Sequence, residues 1–331
     1  MIKTAVIGVG SMGQHHARIY NQLENSELVG VSDIDINVAR NIADNYDVPA
    51  YENYQELLEN EKPEAVTVAV PTVQHEQVVS EALEAGAHVL VEKPIAATIE
   101  EGQRLITKAK SLERQLMVGH IVRFNPATQM LKQKIQAGDL GRIFQIVSRR
   151  VGPFPARIRD VGVIVDLAPH DLDLMRFLTG MDPVRVFAET ENRIHTDHED
   201  LVTGLLRFPD GIIGMLEINW LTPTKVRETL VLGERGMFRV DDLTQDLYYF
   251  ENAQVDEELW RDLRVIKGVS EGQMIRYSVQ RQEPLKVEIN AFLEALETGT
   301  DVPVTGEDGL AALRLALALV ESGQKHEIVY V

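Results

Sequence analysis

The chain has 331 residues, 44% hydrophobic and 25% charged, the balance of a globular protein long enough for two domains. It has no cysteine, which excludes a disulfide framework, Cys-ligated zinc, iron–sulfur clusters and thiol catalysis. A net charge of -18 repels nucleic acid and anionic membranes, so neither is an expected partner. An anionic ligand would have to be met by a local group of cations or a helix N-terminus.

The first residues, MIKTAVIGVG, run from one lysine into a strand and then into glycines. They lack the apolar stretch of a secretory signal, and no uncharged apolar run approaches the length of a membrane span, so a cytoplasmic protein is expected. Strands are predicted at Thr4–Val9, Leu28–Ser32, Ala65–Val70, His88–Val91 and Gln115–Gly119. Helices at about Met12–Glu24, Val38–Asn45, Glu76–Ala85 and Ile99–Ser111 alternate with them. This βαβ rhythm implies right-handed crossovers and a parallel, doubly wound sheet over residues 1–120.

Beyond residue 120 the pattern changes. Helices are predicted over Pro126–Ala137, within Val163–Leu178, and over Pro284–Leu296 and Gly309–Glu321. Phe144–Val151 alternates like a half-buried strand, and six strand-like runs follow one another from Val184 to Phe250, with turns such as Pro209-Asp210-Gly211. Successive hairpin-connected strands predict a large, mostly antiparallel open sheet with helices to one side, in a second α+β domain over residues 121–331. Alternating apolar residues in IIGMLEINW and RETLVLG leave one face of that sheet too apolar for a monomer, so a homodimer or homotetramer packed through it is expected.

Gly8-Val9-Gly10-Ser11-Met12-Gly13 spells G-x-G-x-x-G between the first strand and the first helix, the context a dinucleotide site demands. The first glycine permits the tight turn, the second lets backbone approach the pyrophosphate, and the third lets helix and strand pack closely. Asp33, at the end of the second strand, suits the two ribose hydroxyls and repels a 2′-phosphate, which favours NAD over NADP. Pro71 and Thr72 follow the third predicted strand where such folds bind ligands, although a plain turn explains them equally well.

Glu92-Lys93-Pro94 ends an apolar strand, and a lysine there is expected to point into the ligand crevice. Asp166 and His170 are spaced i, i+4, so on a helix they share a face. Oxidising an alcohol needs a base for the hydroxyl proton, and histidine beside a carboxylate supplies one. Lys93 would hold the same oxygen and stabilise developing charge, although lysine and histidine could exchange roles. Asp171 and Asp173 are expected to cap that helix or complement its dipole. His15 and His16 are expected on a helix surface. His120 is a substrate candidate, and His195-Thr-Asp-His198-Glu-Asp reads as a solvated acidic turn rather than a metal site.

In this order, the glycine loop, Asp33, Glu92-Lys93-Pro94 and Asp166-x-x-x-His170-x-x-Asp173 resemble the Gfo/Idh/MocA oxidoreductases over the whole chain. The resemblance implies a Rossmann domain, a C-terminal open-sheet domain, NAD as cofactor and a sugar or inositol as substrate. It also implies Lys93, Asp166 and His170 as catalytic residues. Its cofactor contacts would come from Gly8, Gly10, Ser11, Met12, Gly13, Asp33, Pro71, Thr72, Glu92 and Lys93. One departure is Ala168-Pro169 where the family often has a glycine.

The segments Val118–Pro126, Arg150–Arg157 and Asn219–Lys225 look like the branch containing UDP-N-acetylglucosamine 3-dehydrogenases. A UDP-sugar brings a diphosphate, for which Arg123, Arg149, Arg150, Arg157 and Arg159 are the candidate cations. Substrate contacts are therefore expected from Lys93, His120, Arg123, Asn125, Arg150, Arg157, Asp166 and His170. The alternatives are an inositol or other polyol dehydrogenase of the same architecture, and a non-catalytic NAD sensor, which would need the glycine loop but not Lys93, Asp166 or His170.

Overall fold

A computed structural model of the chain describes residues 1–155, 161–194, 197–252 and 271–331. It contains two compact units, Met1–Phe124 with Glu283–Arg314, and Asn125–Gln282 with Leu315–Val331.

Unit 1 begins β1 (Ile2–Ile7), α1 (Gly13–Gln22), β2 (Ser26–Ser32), α2 (Ile36–Ala43), β3 (Ala50–Tyr51), α3 (Tyr54–Glu61) and β4 (Ala65–Val68). It continues with α4 (His75–Glu84), β5 (His88–Glu92), α5 (Ile99–Ser111), β6 (Leu116–Gly119) and a short 3-10 helix over Ile121–Phe124. The six strands are all parallel, in the order β3-β2-β1-β4-β5-β6. Every residue of β4 is buried, which is why its sequence is almost wholly apolar. Helix α5 starts where its sequence says: Thr98 and Glu101 form a capping box, and Lys108 and Lys110 sit in the last turn. Helix α3 was not expected, because only Leu57 and Leu58 of its eight residues are buried and the apolar signal is thin.

Unit 2 contains α6 (Pro126–Gln136), β7 (Ile143–Pro153), α7 (Val163–Thr179), β8 (Arg185–Glu191), β9 (Leu201–Arg207) and β10 (Ile213–Asn219). It continues with β11 (Leu221–Gly233), β12 (Gly236–Asp241), β13 (Asp246–Asn252) and β14 (Glu271–Tyr277). The chain then forms α8 (Pro284–Thr298), α9 (Gly306–Lys325) and β15 (Val329–Tyr330). The expected second domain, residues 121–331, is thus interrupted: α8 buries Leu285, Ile289, Phe292 and Leu293 and lies against α1 and the 3-10 helix of unit 1. Patterning could show that α8 is amphipathic but not which sheet its apolar face would meet.

The sheet of unit 2 has nine strands in the order β14-β13-β12-β11-β7-β10-β9-β8-β15. All neighbours are antiparallel except β7 and β10. Helix α7 covers β7, β9 and β10, and α6 covers β12 and β13. On the opposite face the register lines up Phe187, Leu205, Met215, Val147 and Leu230 across five adjacent strands. Among the described residues no helix is long and apolar enough to cross a membrane.

Candidate active site

The glycine loop is built from steric necessity. Gly8 has φ +83°, and a side chain there would meet the Ala69 carbonyl at 2.9 Å. A Cβ on Gly13 would lie 1.8 Å from the Gly8 carbonyl oxygen, so only glycine lets α1 start so close to β1. Gly10 is the opposite case: no described residue lies within 4 Å of where its Cβ would be, and it is exposed together with Ser11 and Met12. Asp33 ties this loop to β2, since Val9 N–H donates to its Oδ2 at 3.0 Å and Asp35 N–H to its Oδ1 at 3.1 Å. Each oxygen keeps a further lone pair. The open space at Gly10, the tight packing at Gly13 and the carboxylate at Asp33 fit a bound dinucleotide.

The end of β5 is supported from below. Glu92 accepts from His16 Nε2 at 2.9 Å through Oε1 and from the Lys93 amide at 3.3 Å through Oε2. His16 is fully buried, not on the helix surface as expected. Its Nδ1 lies 3.3 Å from Thr67 Oγ1, which is 2.8 Å from the Tyr20 hydroxyl. One proton order satisfies every group in this chain: Tyr20 donates to Thr67, Thr67 to His16, and His16 to Glu92. Burial pushes the Glu92 carboxyl up, but the His16 bond and field, the Lys93 charge and the Lys93 amide outweigh it, leaving the group below the usual range. Lys93 itself is half-buried and precedes a cis Pro94. His75, also buried, spans two loops, with Nδ1 2.9 Å from the Pro94 carbonyl and Nε2 2.9 Å from the Val70 carbonyl. Burial pulls its pKa down despite those carbonyls. Of the two predicted crevice residues beside it, Pro71 is exposed and Thr72 half-buried.

In unit 2 the expected pair stands on α7. The helix continues through Pro169, so Ala168-Pro169, where the family often has a glycine, does not end it. Asp166 lies in its first turn and His170 one turn later, both half-buried. The helix start is capped from a distant loop, Ile164 N–H donating to Glu199 Oε1 at 3.1 Å. Asp171 and Asp173 are not caps: both are mid-helix and 1% exposed. Asp171 accepts from Ser148 Oγ at 2.5 Å and from Arg150 Nε at 2.6 Å, anchoring α7 to β7. The same guanidinium lies 3.5 Å from Asp242. Burial pushes the Asp242 carboxyl up to about 6, with Arg150 opposing and Asp171 reinforcing the rise.

The remaining expected substrate contacts divide. His120 is buried at the end of β6. Arg123 is buried in the 3-10 helix and bonds Asp308 through both terminal nitrogens, at 3.2 and 3.1 Å. Asn125 caps α6 through its Oδ1 and donates to the Asp242 carbonyl, which commits its amide to the fold. Arg149 pairs with Glu217 at 3.0 Å, and Arg150 is bound as described. Arg157, Arg159 and His195 lie outside the described residues. Among the described residues no cluster of three or more His, Asp or Glu could hold a metal ion.

Sequence reasoning missed His16 and His75, whose partners are far along the chain, and Arg227 on β11. Arg227 stands opposite Arg150 in the ladder and donates from Nη1 to the carbonyls of Val151 and Val226 at 2.6 and 2.7 Å. Burial, then the Arg150 charge, lower its pKa to about 10.

Comparison with known proteins agrees with this geometry. The profile of an oxidoreductase family with an NAD-binding Rossmann fold, GFO/IDH/MocA, matches residues 2–120, and the GFO/IDH/MocA C-terminal domain matches residues 128–239. UDP-N-acetylglucosamine 3-dehydrogenase of Acidithiobacillus ferrooxidans is 31% identical over 96% of this chain and 95% of its own. Its crystal structure superposes with a TM-score of 0.88 over 98% of both chains, at 30% identity. Myo-inositol 2-dehydrogenase of Thermotoga maritima is 27% identical over 97% and 96% of the two chains.

Proposed function

The chain belongs to the GFO/IDH/MocA oxidoreductase family, and from that premise we propose that it oxidises the C3 hydroxyl of UDP-N-acetylglucosamine, or of a closely related UDP-sugar, to a ketone. The coarser statement does not depend on this choice: it is an NAD-dependent oxidoreductase acting on a hydroxyl of a sugar or polyol.

When bound, NAD supplies the hydride acceptor. The rest falls to this chain's residues. His170 takes the hydroxyl proton, and Asp166, one turn before it on α7, orients the ring and stabilises its cation. Lys93 donates a hydrogen bond to the substrate oxygen as negative charge develops there. The observation that carries this reading is the sorting of side chains on α7. Asp171 and Asp173 are sealed in the core, whereas Asp166 and His170 remain accessible. The helix dipole accounts for a partly exposed acid at Asp166 but not for a partly exposed histidine one turn later.

The test follows NADH absorbance with UDP-N-acetylglucosamine, UDP-glucose and myo-inositol in parallel. The reading expects the UDP-sugar to be preferred, and Lys93→Met and His170→Ala each to lower kcat by roughly 10²–10⁴. Near-normal turnover in both variants would defeat the scheme. Preference for myo-inositol would move the substrate to the polyol class of the Thermotoga relative.

The apolar row on the open sheet face, in which Leu205 is 45% exposed, supports a homo-oligomer packed through it. Light scattering should report a dimer or tetramer, and Leu205→Glu should shift it toward monomer.

A further inference from the structure

We propose that Lys225 and Arg227, on β11, form the binding site for the diphosphate of the substrate. The choice of diphosphate rests on the UDP-sugar reading; the existence of an anion site does not.

The arginines that the sequence offers for this task are otherwise engaged wherever they are described. Arg123 bonds Asp308, Arg149 bonds Glu217, and Arg150 is held by Asp171 with Asp242 beside it. Arg227 is half-buried and hydrogen-bonds no carboxylate among the described residues. Its Nη1 is fixed on the carbonyls of Val151 and Val226, and neither Nε nor Nη2 has a hydrogen-bond partner among the described residues. The two carbonyls therefore hold the guanidinium plane while leaving its other nitrogens free to donate to a ligand.

The strand itself brings Lys225 to the same place. Pairing between β11 and β7 is irregular between Leu221 and Val226, so residues 222–225 leave the ladder where it passes Gly152. A Cβ on Gly152 would lie 3.9 Å from Lys225 Cγ and 3.9 Å from Arg227 Nη1. The Lys225 stem and the Arg227 guanidinium thus pack side by side against the buried Gly152 of β7. Lys225 is exposed and has no carboxylate partner among the described residues.

The electrostatics fit an absent anion. Burial, then the charges of Arg227 and Arg150, depress the Lys225 pKa, and Arg227 is depressed for the same kinds of reason. Three cations that repel one another gain when a dianion arrives. A fork and a point charge side by side suit two linked phosphate groups better than a single carboxylate. Arg227 also feels the charge of Asp166. On a sugar nucleotide the C1 phosphate ester is two carbons from C3, so the groups that hold the phosphates must lie beside those that oxidise the hydroxyl. An uncharged polyol would leave this pair of cations without a function.

The decisive measurement is calorimetric titration of the intact protein with UDP, beside turnover of UDP-N-acetylglucosamine. Lys225→Met and Arg227→Met are each expected to weaken UDP binding roughly tenfold or more, with Arg227→Lys recovering only part of the loss. Salt should weaken wild-type binding more than binding by either variant. Lys225→Met breaks no side-chain hydrogen bond or ion pair among the described residues, so unchanged melting of that variant separates lost binding from lost folding. Wild type that turns over UDP-sugar while both variants bind UDP as tightly as it does overturns this site and leaves the proposed function standing. Wild type that oxidises only uncharged polyols overturns the proposed function. The site then survives if UDP still binds and the variants weaken it, and falls if UDP does not bind.

Discussion

Around the glycine loop, positions are fixed by what a side chain would strike; around Arg150, they are fixed by where buried charge can be paired. Gly8 and Gly13 have backbone carbonyls in the way of any Cβ, and the hydrogen bonds nearby, from Val9 to Asp33 or Tyr20 to Thr67, involve at most one charged partner. In unit 2, Ser148, Arg150, Asp171 and Asp242 form a buried network in which a guanidinium is shared by two carboxylates. Steric constraints from backbone carbonyls, whether near in sequence as at Gly13 or far as at Gly8, tolerate no compromise. Charge constraints act across elements and leave a residue of mismatch, visible in the raised Asp242 and the lowered Arg227.

The largest effect should come from breaking the charge network. Asp171→Ala leaves Arg150, 7% exposed, with only the longer contact to Asp242, and leaves Ser148 without its acceptor. Removing one partner of a buried pair costs about 3–5 kcal/mol. Urea unfolding measures it, and a loss under about 1 kcal/mol would mean that Asp242 alone satisfies the guanidinium. Next comes the steric side. Gly13→Ala puts a methyl 1.8 Å from a backbone oxygen, so α1 must move off β1. Overpacking of this kind costs about 1–3 kcal/mol or more, and cofactor binding should fall with it.

The same contrast explains what could be read from the sequence. The G-x-G-x-x-G reading was possible because the motif is contiguous and sits between a strand and a helix, although the obstacle at Gly8, the Ala69 carbonyl, is far along the chain. The i, i+4 spacing of Asp166 and His170 asked for a helix, and α7 carries both; the roles proposed for them and for Lys93 rest on residue type. His16 was misplaced because its partner, Glu92, is 76 residues away, and a histidine beside another on a helix carries no sign of burial. Asp171 was misread as a dipole partner for the same reason, since the groups that need it are on β7, 21 and 23 residues back. The isolation of Arg227 depends on strand pairing and on the irregularity before Val226, neither of which leaves a local trace.

Asp242 sharpens the comparison through pH. Its carboxyl titrates near 6 in the fold against an ordinary 3.8, so over that window the folded chain keeps a proton that the unfolded chain has lost. Stability therefore falls as pH rises from about 4 to about 6, by up to about 3 kcal/mol from this group. Asp242→Asn should flatten that part of the stability profile. An unchanged slope would show that the mismatch is relieved elsewhere in the network.

The smallest effect on folding should be the most telling about ligand binding. Gly10 is the one glycine of the motif with no neighbour within 4 Å among the described residues, so Gly10→Ala meets none of them. Its φ is not left-handed, so a methyl should leave melting within about 0.5 kcal/mol of wild type. The same methyl stands where a pyrophosphate must approach the backbone, so NAD affinity should fall roughly tenfold or more, a change of about 1.4 kcal/mol. Fluorescence titration with NADH and a thermal melt on the same preparation give both numbers. Gly10 and Gly13 then separate the two meanings of a glycine in one motif: at 13 it makes room for the protein, and at 10 it makes room for the ligand. Equal losses of stability at both positions would show that the space at Gly10 is needed by the fold after all.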